Sequence, residues 1–150
     1  MSYTEEQYNE FEKYMEEKYP SMFSHLNGGF AIGAGWWQIV KSLCSQIDSY
    51  TKWRNNTRVA LLKDNPYGHT IPDAVEEVTV VQIKEKFGGL RFYYNGGDEH
   101  ISGMVRMAES WASHTCEECG APGQHRSGGW IRTLCDTHES ERQERLKSST

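Results

Sequence analysis

An α+β architecture, with helices around a β-hairpin or small antiparallel sheet and a separate C-terminal module, follows from three observations in the 150-residue sequence. Apolar residues recur at helical spacing in three separate stretches. Between the second and third of these, around residues 78–94, the pattern switches to period two on either side of a Gly-Gly pair. Three of the four cysteines then crowd into residues 116–138 with a histidine. The division expected is a core over residues 1–115 and a module over 116–150 packed on it, because no linker-like tract separates the two.

Thr4 to about Tyr19 is expected as the first helix. Thr4 can cap it, Glu5 and Glu6 suit its first turn, and Pro20 stops it. Tyr8, Phe11, Tyr14 and Met15 form its narrow apolar stripe. Residues 27–35, Asn-Gly-Gly-Phe-Ala-Ile-Gly-Ala-Gly, match neither a phosphate-binding loop nor a dinucleotide fingerprint, and are expected as a flexible connector.

Trp36 to about Trp53 is the strongest helical segment, with Trp36, Ile39, Val40, Leu43, Cys44, Ile47 and Tyr50 at intervals of three and four. Cys44 lies in that stripe and is expected as a buried, inert thiol. A polar loop through Asn65, Pro66 and Pro72 leads to Val78, Val80, Val81 and Ile83. Lys84, Glu85 and Lys86, then Phe87-Gly88-Gly89, then Leu90 to Tyr94 complete a hairpin. Leu90, Phe92 and Tyr94 share one face, Arg91 and Tyr93 the other. Glu99 to about Ser113 forms a third helix, with Ile101, Met104, Val105, Ala108 and Trp111 on one side.

The module itself reads Cys116-Glu-Glu-Cys119-Gly120, fourteen further residues, then Cys135-Asp-Thr-His138. Ligands three apart turn inward around a metal, and two such half-sites supply the four donors of a tetrahedral zinc. Arg126 to Gly129 suits a turn, Trp130 to Leu134 a strand, and Asp136 to about Lys147 a helix, with Glu139/Arg142 and Glu141/Arg145 at ion-pair spacing. Knuckle, hairpin, then ligands at a helix start is the order of a treble-clef-like zinc module. The expected ligands are Cys116, Cys119, Cys135 and His138, with His114 as the alternative to His138. Four protein ligands close the site, so Zn2+ is expected in a structural role, contributing roughly 10–16 kcal/mol of folding energy. His25, His69, His100 and His125 are isolated and are read as solvated or hydrogen-bonded side chains.

Composition narrows the remaining possibilities. Aromatics make up 12% with five Trp and eight Tyr, so a small core of large rings is expected. Sixteen basic against 21 acidic residues leave a formal net charge of −5, which gives no global attraction to nucleic acid; binding there would need a local basic patch. No apolar run is long enough for a membrane span, and the acidic, polar start is unlike a signal peptide. Clustered cysteines beside a histidine fit a reducing compartment, and a cytoplasmic location is expected.

Val80-Val81-Gln82-Ile83-Lys84-Glu85-Lys86-Phe87-Gly88-Gly89-Leu90-Arg91-Phe92-Tyr93 resembles a block found in a family of small phage and prophage proteins. There, as here, the block is preceded by a Gly-Trp helix start, here Gly35-Trp36. It is followed by a Cys-x-x-Cys-Gly knuckle and a Gly-Trp-Ile-Arg-Thr-Leu-Cys element, here Cys116 to Gly120 and Gly129 to Cys135. The resemblance spans roughly residues 35–138. It implies a viral origin and brings no agreed activity.

No nucleophile–base arrangement is apparent, so no catalytic residue is assigned. Lys84, Lys86, Arg91 and Tyr93 on the hairpin, with Arg126 and Arg132 in the module, form a possible binding surface. The plainer reading of the hairpin residues is a solvated face with cross-strand ion pairs. Three functions compete on this basis. The first is a non-enzymatic accessory protein that binds and modulates a host or viral macromolecule, most plausibly a protein such as a component of host defence. The second is nucleic-acid binding through the zinc module around His125, Arg126 and Arg132, although residues 116–150 hold five basic and six acidic residues. The third is a metal-dependent nuclease using His125, which lacks a second ligand nearby.

Overall fold

The computed structural model describes residues 3–149 and is α+β. Helix α1 (Glu5–Lys18) is followed by β1 (Phe30–Ala31), a single 3-10 turn (Ala34–Trp36) and the long α2 (Trp37–Lys63). The hairpin β2 (Thr79–Lys86) and β3 (Gly89–Asn95) leads to α3 (Glu99–Ala112). Strands β4 (Gln124–Arg126) and β5 (Arg132–Leu134) and helix α4 (Asp136–Ser148) complete the chain. Among the described residues, no helix is long and apolar enough to cross a membrane.

Helix α1 starts where its capping signal lies: Thr4 Oγ1 accepts from the Gln7 backbone N–H, and the Gln7 side chain accepts from the Thr4 N–H. Of its expected stripe, Phe11 and Met15 are buried, while Tyr14 faces solvent. Six of the seven residues of the expected α2 stripe, Trp36, Ile39, Val40, Leu43, Cys44 and Ile47, are buried, and Tyr50 is partly buried against the core. Helix α2 runs ten residues beyond the expected end at Trp53. Its extension has little apolar patterning and is anchored through side chains instead. Asn55 donates to the Val75 carbonyl and accepts from the Val75 N–H, and Arg58 donates to the Pro72 carbonyl. Tertiary hydrogen bonds of this kind leave no periodic trace in a sequence.

The sheet is mixed, in the order β1-β2-β3, with β1 parallel to β2 and β2 antiparallel to β3. The glycine-rich segment expected as a flexible connector is therefore partly a strand. Phe30, fully buried, sits opposite Ile83. The hairpin turn is one residue earlier than Gly-Gly suggests. Phe87 and Gly88 both take positive φ, 54° and 74°, and Lys86 pairs with Gly89. A two-residue turn of this hand matches the twist of the flanking strands but strains a non-glycine residue. The Glu85 carboxylate accepts from the Gly88 N–H at 2.6 Å and braces it.

One face of this sheet, carrying Phe30, Ile83, Leu90 and Phe92, packs with α1, α2 and α3 into a single aromatic-rich core. Phe11 and Trp37 stack at 4.6 Å, and Phe30 meets Phe11 and Phe23 edge-on. Helix α3 is capped by Asp98, whose other carboxylate oxygen accepts from the Tyr50 hydroxyl. Trp111, expected on the buried side of α3, is half exposed; Ala112, one position on, takes the core position.

Candidate metal centre

Helix α3 ends at Ala112 and delivers the chain into a tight knuckle. Gly120 has positive φ, its N–H donates to the Cys116 carbonyl, and the Cys116 N–H donates to the Ala121 carbonyl. Both thiols of the Cys-x-x-Cys segment thereby face the start of α4. There Cys135 caps the helix, its sulfur accepting from the His138 N–H at 3.4 Å. That N–H, aimed at the sulfur, holds the Cys135 thiol below the usual thiol range.

The ligand atoms of Cys116, Cys119, Cys135 and His138 all lie within 4.8 Å of one another. Cys119 and Cys135 sulfurs are 3.8 Å apart, and His138 Nδ1 is 3.6 Å from Cys116 Sγ and 3.2 Å from Cys135 Sγ. Tetrahedral bonds of about 2.3 Å to sulfur and about 2.0 Å to nitrogen require separations of about 3.8 Å and about 3.5 Å. Two of the three measured edges match, so these four residues can hold a metal ion. His114, the alternative ligand, stays outside the cluster, with its Nδ1 3.0 Å from the Ser110 carbonyl oxygen.

The surroundings orient these donors. His138 uses Nδ1 toward the cluster, leaving Nε2 between Glu118 at 3.8 Å and Glu141 at 3.9 Å. Carboxylates behind a ligating imidazole fix its ring and raise its basicity. Glu141 thus faces His138 instead of Arg145. The other expected helix pair, Glu139 with Arg142 at 3.5 Å, is present, but Arg142 is buried and also donates to the Gly128 and Trp130 carbonyls, tying the β4–β5 loop to α4.

The basic residues singled out earlier divide into two groups. Arg132 donates from Nε to Glu117 and from Nη2 to Glu118, both at 3.0 Å. Glu117 also accepts from the Thr133 N–H, and burial nonetheless pushes its carboxyl above the usual range. Arg126 donates to the Leu134 carbonyl and pairs with Asp136 at 2.8 Å. Both arginines are therefore committed to holding the module together. His125 sits on β4 opposite Thr133, away from the thiol cluster.

Lys84, Lys86, Arg91 and Tyr93 instead share the outer face of the sheet. Lys84 lies directly opposite Arg91 and Gln82 opposite Tyr93. The cross-strand ion pairs expected there are replaced by a like-charge pair, because the register sets Lys84 against Arg91 and puts Glu85 on the inner face opposite Leu90.

The Cys-His module is seated on the core by Gly35, in the segment expected as a connector, together with Trp36 at the start of the long helix and Gly88 in the hairpin turn. Gly35 N–H donates to the Glu117 carbonyl, Trp36 Nε1 donates to the Thr115 carbonyl, and Thr133 Oγ1 donates to the Gly88 carbonyl at 2.6 Å. A Cβ on Gly33 would collide with the Glu117 carbonyl, and one on Gly35 with the Cys116 carbonyl. Small residues recurring just before a strong helix were the available signal, but a close backbone approach is invisible until its partner is known.

Comparison with protein-family models, with curated proteins and with solved structures found no match.

Proposed function

We propose that this chain is a non-enzymatic, zinc-containing accessory protein of the phage type that binds and modulates a host or viral protein in the host cytoplasm. Three thiolates and one imidazole are a donor set that zinc favours, and four protein ligands leave no open position for water. The metal then has a structural task.

One observation carries the binding reading. Where the module meets the hairpin tip, two large rings point into solvent: Phe87 is 66% exposed and Trp130 is 72% exposed. They flank a fixed joint, in which Ile131 and Arg132 approach Gly88 closely. Ring-rich surface held on a rigid support is the composition of an interface anchor. The metal organises that joint by fixing the start of α4, to which Arg142 ties the Trp130 loop.

The test has two arms. Native mass spectrometry of the purified chain should show one zinc per chain. Nuclease-treated affinity capture should then yield a stoichiometric protein partner that is lost with Cys116→Ser/Cys119→Ser and with Phe87→Ala/Trp130→Ala, and whose binding is reproduced with purified components. A partner retained by the Phe87→Ala/Trp130→Ala variant, or substrate turnover by the zinc-loaded chain, would overturn the proposal.

A further inference from the structure

We infer that the open outer face of the three-stranded sheet binds a short segment of single-stranded nucleic acid, at a surface centred on Lys84, Arg91 and Tyr93 that meets the Phe87–Trp130 joint only at Lys86. The register places Gln82, Lys84 and Lys86 of β2 and Arg91 and Tyr93 of β3 on this face, with Ala31 of β1 beside Lys84. None of these is acidic. Among the described residues, none of Lys84, Lys86 and Arg91 forms an ion pair with a carboxylate. Arg91 donates only to the neighbouring Leu90 carbonyl, and the Lys84 and Lys86 ammonium groups lie 5.8 Å from the Tyr93 and Phe87 ring centroids.

A like-charge pair directly across two strands costs stability, and a bound anion relieves it. The chain as a whole is acidic, so three unpaired cations on one face are a local exception with its own electrostatic preference. Lys84 and Lys86 are two residues apart along a strand, about 6.7 Å. That is comparable to the separation of successive phosphates in an extended single strand. Tyr93, 42% exposed on the same face, supplies a ring on which a base can stack, and the Gln82 amide opposite it can meet a base edge. An acidic peptide would use the cations but leave the ring without a role. A duplex needs a protruding helix or ribbon to enter its groove, which a flat face does not offer.

Fluorescence anisotropy of the full, metal-loaded chain with a labelled mixed-sequence 12-nucleotide DNA or RNA strand tests this. Three phosphate contacts at about 0.7 each give a slope of log affinity against log salt of about −2, or about a twenty-fold loss between 50 and 200 mM salt. Lys84→Gln should flatten that slope by about one contact, and Tyr93→Ala should weaken binding about five-fold or more. Lys84→Glu should abolish binding while raising thermal stability, since it converts the like-charge pair into an ion pair; the second readout guards against misfolding. Arg145→Glu, on α4, should change nothing. Absence of oligonucleotide binding, a slope near zero, or affinity unchanged in Lys84→Glu would overturn the inference. So would tighter binding of an acidic peptide than of the oligonucleotide. None of these outcomes bears on the protein partner at Phe87 and Trp130.

Discussion

The indole Nε1 of Trp36 donates to the backbone carbonyl of Thr115 at 2.9 Å, in a fully buried contact between residues 79 positions apart. It joins the start of the main core helix to the residue before Cys116, the first member of the Cys-His cluster. The metal module is thus docked through the glycine-rich segment, and several consequences can be measured.

Gly35→Ala should separate the module from the core. A Cβ there meets the Cys116 carbonyl, the Glu117 backbone and the Gly120 N–H, none of which belongs to a flexible side chain. A loss of at least about 2 kcal/mol in urea unfolding is expected, within the range of about 1–3 kcal/mol for overpacking. Gly28→Ala is the comparison: nothing crowds its Cβ, so only the strain of its positive φ is added. Equal losses for the two would show that the seam is not tight.

Thiol counting separates the two kinds of cysteine. The metal-loaded chain should react slowly at all four positions. After chelation three thiols should become reactive, while Cys44 should stay silent until denaturant is added, because it is fully buried and burial pushes its thiol far above the usual range. Circular dichroism on the same samples should show loss of α4 with the metal, since that helix contributes almost no apolar surface to a core. Rapid labelling of Cys44 in the folded chain would contradict the packing described.

Glu118 should matter to the metal without touching it. Its carboxylate stands behind His138 Nε2 and also holds Arg132. Glu118→Gln should weaken metal affinity about ten-fold in competition with a chromophoric chelator. Glu141→Gln should do less, because that carboxylate is more than half exposed. An unchanged affinity for Glu118→Gln would assign Glu118 to the Arg132 clamp alone.

Tyr8 sets an alkaline limit. Its hydroxyl donates to Glu12 and accepts from the Phe30 N–H, joining α1 to β1. Burial, aided by Glu12, pushes its phenol up to about 12. The folded chain therefore holds this proton more tightly than the unfolded chain, whose phenol titrates near 10. Its stabilisation is complete below about pH 10 and is lost as pH rises through about 12. Unfolding midpoints followed over that window should fall more steeply for the native chain than for Tyr8→Phe. Parallel decline would remove Tyr8 as the cause.

Local patterning made the helices, the hairpin and the Cys-His cluster that can hold a metal legible in the sequence. Thr4 caps where a short polar residue caps, Ile39 to Ile47 bury at a 3.6-residue period, and Cys-x-x-Cys with Cys-x-x-His has few uses besides holding a metal. Each of these signals lies within a few residues, so the chain alone carries it. The end of α2 at Lys63, the parallel pairing of Phe30 with Ile83, the placing of Trp111 outside the core and the commitment of Arg132 to Glu117 and Glu118 were settled by contacts between distant segments. The same holds for Gly33 and Gly35, whose value lies in the backbone they admit. Register likewise decided that Lys84 faces Arg91. Short-range periodicity records which face of an element is buried, but not what buries it, and charge pairing across strands and seams depends on that missing partner.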